Sequence, residues 1–236
     1  MLTQTTIRHN TFHPAPKSAR GIAPVSARAV KSGDEPLTRT MYLMGAVRSH
    51  SRNSEIFGES EPADYLYKVM SGCIRTYKTL NDGRRQISGF YLPGEVFGLS
   101  FDDEHTVSAE AIADSKVLVI KRSAVDALAG RDPAIARELF MLIGRELRRA
   151  QDRALLLIKS AQERVAGFLL EMADRTSAKD AVELPMSRQD IGDYLGLTIE
   201  TVSRTLTALE CSAAIKLPTS RHVELRNRAA LNRIVN

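Results

Sequence analysis

Glu200, Ser203 and Arg204 are the residues of this chain whose types and spacing offer the most specific chemistry. Arg204 carries a guanidinium fork that matches guanine O6 and N7, and Glu200 can accept from the amino group of cytosine N4 or adenine N6. Phosphate repels a carboxylate, so an outward Glu beside an outward Arg points to base edges rather than to backbone. Ser203 can reach a base edge or a phosphate, and Ile199, apolar and outward, suits a thymine methyl. The plain alternative is an exposed i,i+4 pair between Glu200 and Arg204, worth roughly 0.3–0.5 kcal/mol. Arg188, Gln189, Thr198, Arg221 and His222 are candidates for phosphate contacts, or else solvated surface.

The stretch that must position these groups is 187–210, SRQDIGDYLGLTIETVSRTLTALE. Ser187 with Asp190 three residues on predicts a capped helix start. Ile191, Leu195, Leu197 and Val202 are spaced to pack two short helices together. Gly192 leaves room where they cross, and Gly196 suits the turn. Thr198 caps the second helix, placing 199, 200, 203 and 204 on the first two turns of its outer face. In a DNA-binding helix-turn-helix those positions enter the major groove. Segments 213–217 and 222–225, around Pro218-Thr219-Ser220, predict the hairpin wing of a winged helix. From Thr201 onward six Lys and Arg face only Glu210 and Glu224, against a whole-chain balance of 33 basic and 28 acidic residues. The basic face is local, as polyanion binding requires.

Upstream, Ser160-x-x-Glu163 is a capping box opening a helix over 161–175. Asp132-Pro133 starts a longer helix to about Lys159, with Leu139, Ile143, Leu147, Ala150, Ala154 and Leu157 in a coiled-coil-like seam. The expected partner of that seam is the same helix of a second subunit; the alternative is that the helix lies on its own barrel. Residues 41–130 read as short strands punctuated by glycine (65–69, 74–77, 86–92 and 117–120), with Asn81-Asp82-Gly83 as a hairpin turn. An antiparallel barrel or jelly roll is expected. Residues 1–40, rich in Thr, Ser, Pro and Ala, read as a mobile tail. The fold class is therefore α+β: tail 1–40, barrel 41–130, dimerisation helix 131–159 and winged helix-turn-helix 160–236.

Two cysteines in no ligand spacing fit a reducing compartment. No apolar run of membrane-spanning length or signal-peptide type occurs, so a cytoplasmic protein without membrane association is expected. Cys211, just after the second helix, is a possible redox thiol, or a small apolar residue. His9 and His13 alone have ligand-like spacing and lie in the tail, so no metal is expected. No nucleophile–base arrangement suggests an enzyme.

Barrel, long helix and winged helix-turn-helix, in this order, resemble the cyclic-AMP receptor protein and fumarate–nitrate regulator (CRP/FNR) superfamily of bacterial transcription regulators. The phrase YLYKVMSGCIRTYKTLNDGRRQISGFYLPGEVFG is similar to its cyclic-nucleotide-binding-type barrel, and Glu200-x-x-Ser203-Arg204 to the recognition element of the fumarate–nitrate branch, FixK type. The resemblance implies a homodimer on double-stranded DNA with TTGA-type half-sites. It also implies recruitment of RNA polymerase and activation of microaerobic, anaerobic or nitrogen-fixation genes. Residues 1–60 contain no Cys, so an iron–sulfur cluster lacks ligands. Leu99 follows Gly98, and Val107 precedes Ser108-Ala109, where cyclic-AMP binders carry Glu and Arg. No cofactor is expected; the alternative is an effector-gated regulator holding a nucleotide or haem in the barrel.

Overall fold

The computed structural model describes residues 23–24, 36–176 and 180–235. Expectations for most of 1–35, His9 and His13 included, and for 177–179 fall outside these. The chain runs through β1 (Ala23–Pro24), α1 (Pro36–Met44) and eight further strands. These are β2 (Ala46–His50), β3 (Glu55–Phe57), β4 (Tyr65–Ser71), β5 (Ile74–Thr79), β6 (Arg85–Tyr91), β7 (Val96–Phe97), β8 (Ser108–Ala111) and β9 (Ser115–Lys121). They make two antiparallel sheets, ordered β1-β2-β9-β4-β7 and β3-β8-β5-β6. Alternating apolar residues of both, among them Phe57, Val69, Ile74, Phe97 and Val117, meet in one core. The result is the expected jelly roll, with its sheets left open rather than closed into a cylinder. The β5–β6 turn is closed by Gly83 at φ +83°, with Leu80 N donating to Arg84 O at 2.8 Å.

The expected tail ends earlier than residue 40. Leu37 and Met41, one helical turn apart on α1, are fully buried against Leu118, Ile120 and Leu142. Leu37 and Met41 are followed by Tyr42, Leu43 and Met44, and this apolar run, with Leu43 and Met44 exposed, does not show which face packs until the chain is folded. α2 (Arg122–Ala129) follows β9 and buries Val125.

α3 (Pro133–Leu155) begins with the Asp132 carboxylate accepting from Ala134 N and Pro at its first position. It tightens into a 3-10 turn, Leu156–Ile158, and the backbone becomes extended at Lys159. α4 (Ala161–Arg175) restarts with the Ser160–Glu163 capping box. Then come β10 (Ala181–Glu183), α5 (Arg188–Leu195), α6 (Ile199–Cys211), β11 (His222–Glu224) and α7 (Arg228–Val235). In the wing, β11 pairs with β10, and the expected strand at 213–217 is reduced to a single bridge between Lys216 and Glu224.

One apolar cluster ties the two ends of the chain together. Ile87, Phe90, Leu92 and Ile112 of the jelly-roll half pack with Phe168, Leu169, Tyr194 and Leu206. Phe90 sits 5.2 Å from Tyr194 and 6.3 Å from Phe168 between ring centroids.

Candidate nucleic-acid interface

The helix-turn-helix is built by reciprocal capping and one close backbone approach. Ser187 Oγ accepts from Asp190 N at 3.1 Å, and the Asp190 carboxylate accepts from Ser187 N at 3.0 Å. Leu197 N donates to Gly192 O at 3.0 Å, and a Cβ at Gly192 would stand 2.6 Å from Leu197 O. Gly196 turns the chain at φ +66°. Thr198 Oγ1 then accepts from Thr201 N at 3.2 Å and opens α6.

α6 buries Val202, Thr205, Leu206 and Leu209 and turns Ile199, Glu200 and Arg204 to solvent, with Ser203 half-buried between them. Hydrogen bonds from its own backbone N–H and from Thr198, with the Arg204 charge, hold the Glu200 carboxyl below the usual carboxylate range. Arg204 Nη2 lies 3.5 Å from Thr201 Oγ1, and no Glu200–Arg204 ion pair within 4 Å occurs among the described residues. The i,i+4 brace allowed by the spacing is therefore not formed.

The five phosphate candidates divide. Thr198 and Gln189 border one groove with Ile199, Glu200 and the β5–β6 hairpin. Gln189 Nε2 is engaged by Asp193 Oδ1 at 2.6 Å. Arg188 is half-buried on α5, and among the described residues its Nε has no acceptor. Arg221 is exposed on the wing, whereas His222 Nδ1 is held by the Glu183 carboxylate. Cys211 is exposed at the end of α6. Cys73 is buried, and burial pushes its thiol up to about 12.

Sequence reasoning did not find the ion-pair network behind α5. Arg75 of β5 and Arg85 of β6 both reach Asp190, at 2.6 and 2.8 Å, across more than a hundred residues of chain. The phrase NDGRR placed Arg85 beside a turn and Arg75 stood in the strand before it, but nothing in their spacing paired either with 190.

The seam on α3 also divides. Leu139 leans on the core beneath α1, and Ile143 and Leu147 line a cavity of about 480 Å³ between α3 and the jelly roll. Ala150 and Ala154 are exposed, and so are Phe140, Leu155 and Ile158; the Leu157 side chain is outside the description. Leu99 and Val107 line the cavity too, and among the described residues Arg153 of α3 is its one Lys or Arg. Burial holds His105, its ring stacked 3.6 Å from that of Phe57 between centroids, below its ordinary value. The donor set therefore does not fit a cyclic phosphate at the positions where the resemblance places one. Among the described residues no cluster of His, Cys, Asp and Glu could hold a metal, and no helix is long and apolar enough to cross a membrane.

A jelly roll joined by one long helix to a winged helix-turn-helix defines a DNA-binding regulator built on a cyclic-nucleotide-binding-type scaffold. A cyclic nucleotide-binding domain matches residues 47–132, and a Crp-like helix-turn-helix domain matches residues 163–234. The nitrogen fixation regulation protein FixK of Azorhizobium caulinodans is 46% identical over 234 residues, 94% of this chain and 91% of that one. The transcriptional activatory protein AadR of Rhodopseudomonas palustris is 44% identical over 160 residues, 66% of this chain and 67% of its own. The solved structure of FixK2 from Bradyrhizobium japonicum superposes with a TM-score of 0.80 at 48% identity, covering 82% of this chain and 98% of that one. The chain belongs to the FixK branch of the CRP/FNR family of transcription regulators.

Proposed function

We propose that this protein is a homodimeric, sequence-specific transcription activator that reads TTGA-type palindromes with Ile199, Glu200, Ser203 and Arg204. It acts in the cytoplasm with neither an iron–sulfur cluster nor cyclic AMP. The observation that carries the reading is the exposed, capped start of α6, where a carboxylate and a guanidinium face outward side by side without pairing to each other. Thr198, Gln189, Arg188, Arg221 and the wing around His222 supply the backbone contacts that hold the register.

Residues 41–130 act as scaffold and contact surface, 131–159 as the dimerisation helix and 160–236 as the DNA-binding unit. The exposed stripe Phe140, Leu147, Ala150, Ala154 and Ile158 is the dimer face. Two parallel copies meeting there set their α6 helices one DNA turn apart. Exposed loops of the jelly roll contact RNA polymerase. The name of the Azorhizobium relative supports nitrogen-fixation genes as targets, and that of AadR supports activation.

Independence from cyclic AMP is supported by Leu99 and Val107 in the cavity wall, and independence from a cluster by the absence of Cys before Cys73. Transcription in vitro with purified protein, RNA polymerase and a TTGA-palindrome promoter tests the whole reading. Activation without added effector is expected; silence until a small molecule is supplied contradicts it. The cavity itself favours a second reading, an effector-gated regulator with a nucleotide or haem beneath α3. An absorbance scan and mass spectrometry of the purified protein separate the two.

A further inference from the structure

We propose that Arg85, with Arg75 behind it, is a positioning residue for DNA recognition. The jelly roll grips the first helix of the helix-turn-helix through Asp190 and Asp193, and so sets the direction in which α6 presents Glu200 and Arg204. The inference rests on the DNA-binding reading and extends it to the opposite end of the chain.

The geometry is convergent. Asp190 Oδ2 accepts from Ser187 N at 3.0 Å and Ser187 Oγ at 2.8 Å, which caps α5. Its Oδ1 accepts from Arg75 Nη1 at 2.6 Å and Arg85 Nη2 at 2.8 Å. Arg85 also places Nε and Nη2 on Asp193 Oδ2 at 3.0 and 2.8 Å, one helical turn further along α5. Gln86 Nε2 donates to the Asp193 carbonyl at 2.7 Å. Two points on one helix, gripped by one strand, fix its rotation as well as its position.

The arginines are themselves held. Arg75 Nη2 reaches Glu110 Oε2 at 2.9 Å, and both guanidinium groups lie over the Tyr77 ring, at 5.7 and 5.8 Å from its centroid. Asp190 is 5% exposed and Arg75 9%. Charge-assisted bonds between buried planar groups are directional, whereas the Phe90, Phe168 and Tyr194 contact beside them tolerates small slides. Capping does not require this network. The Ser160–Glu163 box of α4 does the same work, and among the described residues Glu163 has no arginine partner. The network therefore does something beyond starting a helix. α5 passes its orientation to α6 through the Gly192–Leu197 contact, where the Leu197 N to Gly192 O hydrogen bond at 3.0 Å ties the helices together and the close backbone approach stops them sliding nearer.

The test uses the full-length chain, a palindromic duplex and a scrambled duplex at one fixed salt concentration. Arg85→Met removes one charge, keeps the bulk of the stem and leaves Asp190 with Arg75. Asp193→Asn removes the second grip without touching the cap. Each is expected to weaken binding to the palindrome by about tenfold, the double variant no more than Arg85→Met alone, since the two share one interaction. Affinity for scrambled DNA, circular dichroism and sedimentation stay at wild-type values. Arg85→Lys restores part of the loss, because it returns the charge without the fork. Wild-type affinity in Arg85→Met overturns the proposal. So does a smaller salt dependence in Arg85→Met beside a harmless Asp193→Asn, which makes Arg85 a direct phosphate contact. A wild-type protein that does not discriminate between the two duplexes sinks the DNA-reading assignment instead, and is read from the control lane.

Discussion

Arg204 stands exposed on α6 while its neighbours Val202, Thr205 and Leu206 are buried. Its side chain is thus spared from packing and left for a ligand. Arg204→Ala is expected to cost about 1–3 kcal/mol of specific affinity and to relax discrimination at one base pair, in gel-shift titrations at fixed salt. Loss of affinity shared equally by all sequences would make it a phosphate contact instead. Much at this scale was legible in the chain. The caps Ser187, Thr198, Asp132 and Ser160 follow from local hydrogen-bond chemistry, which needs only a few consecutive residues. The relation between Glu200 and Arg204 was not legible, since an i,i+4 spacing permits a pair without deciding the rotamers.

Among the elements, the α5–α6 turn has the least tolerance. A Cβ at Gly192 would meet Leu197 O at 2.6 Å, a backbone atom that cannot swing aside. Gly192→Ala is expected to lower stability by about 1–3 kcal/mol, seen as a lower thermal midpoint, with DNA affinity falling alongside. α3 offers a different test. Leu147 of α3 is 59% exposed and Ile158 of the 3-10 turn after it 85%, while Ile135 and Leu142 of α3 are buried in the core under α1. Leu147→Glu places a charge on the proposed dimer face, and sedimentation is expected to shift from dimer to monomer at micromolar concentration. A wild-type chain that sediments as a monomer would remove the dimer face altogether. The seam shows what periodicity can and cannot give. A helix with apolar residues in rows is evident from sequence, but α3 has two apolar sides. Which row meets the jelly roll and which meets solvent depends on α1, whose burial nothing local announces.

Across the whole molecule, Glu95 joins three parts. It accepts from Arg149 of α3 at 2.6 Å, from Arg175 of α4 at 2.6 and 3.1 Å, and from Leu92 N at 2.8 Å. Burial alone would raise its pKa, but the hydrogen bonds and charges of Arg175, with Arg149, outweigh burial and hold it below the ordinary 4.5. A depressed carboxylate contributes stability that is complete above its ordinary value and is lost as the pH falls through and below it. Denaturant midpoints should therefore decline as the pH drops below about 4.5. Glu95→Gln should flatten that acid limb and cost about 1–3 kcal/mol at neutral pH. An unchanged acid limb in the variant would show that Glu95 does not carry it. The same linkage argues for joint unfolding: with Phe90 and Ile87 in one apolar cluster with Phe168 and Leu206, calorimetry is expected to show one transition rather than two.

By itself the sequence determined what depends on near neighbours: the caps, the turn glycines, the short glycine-punctuated strands, and the outward placement of 199, 200 and 204. Each arises from interactions within a few residues, and each carries its signature in residue type and spacing. Tertiary structure alone decided the partners of Asp190 and Glu95, the inward side of α3 and the shared core. Those contacts join residues many tens of positions apart, and buried charges and apolar faces find their counterparts only once the chain has closed on itself.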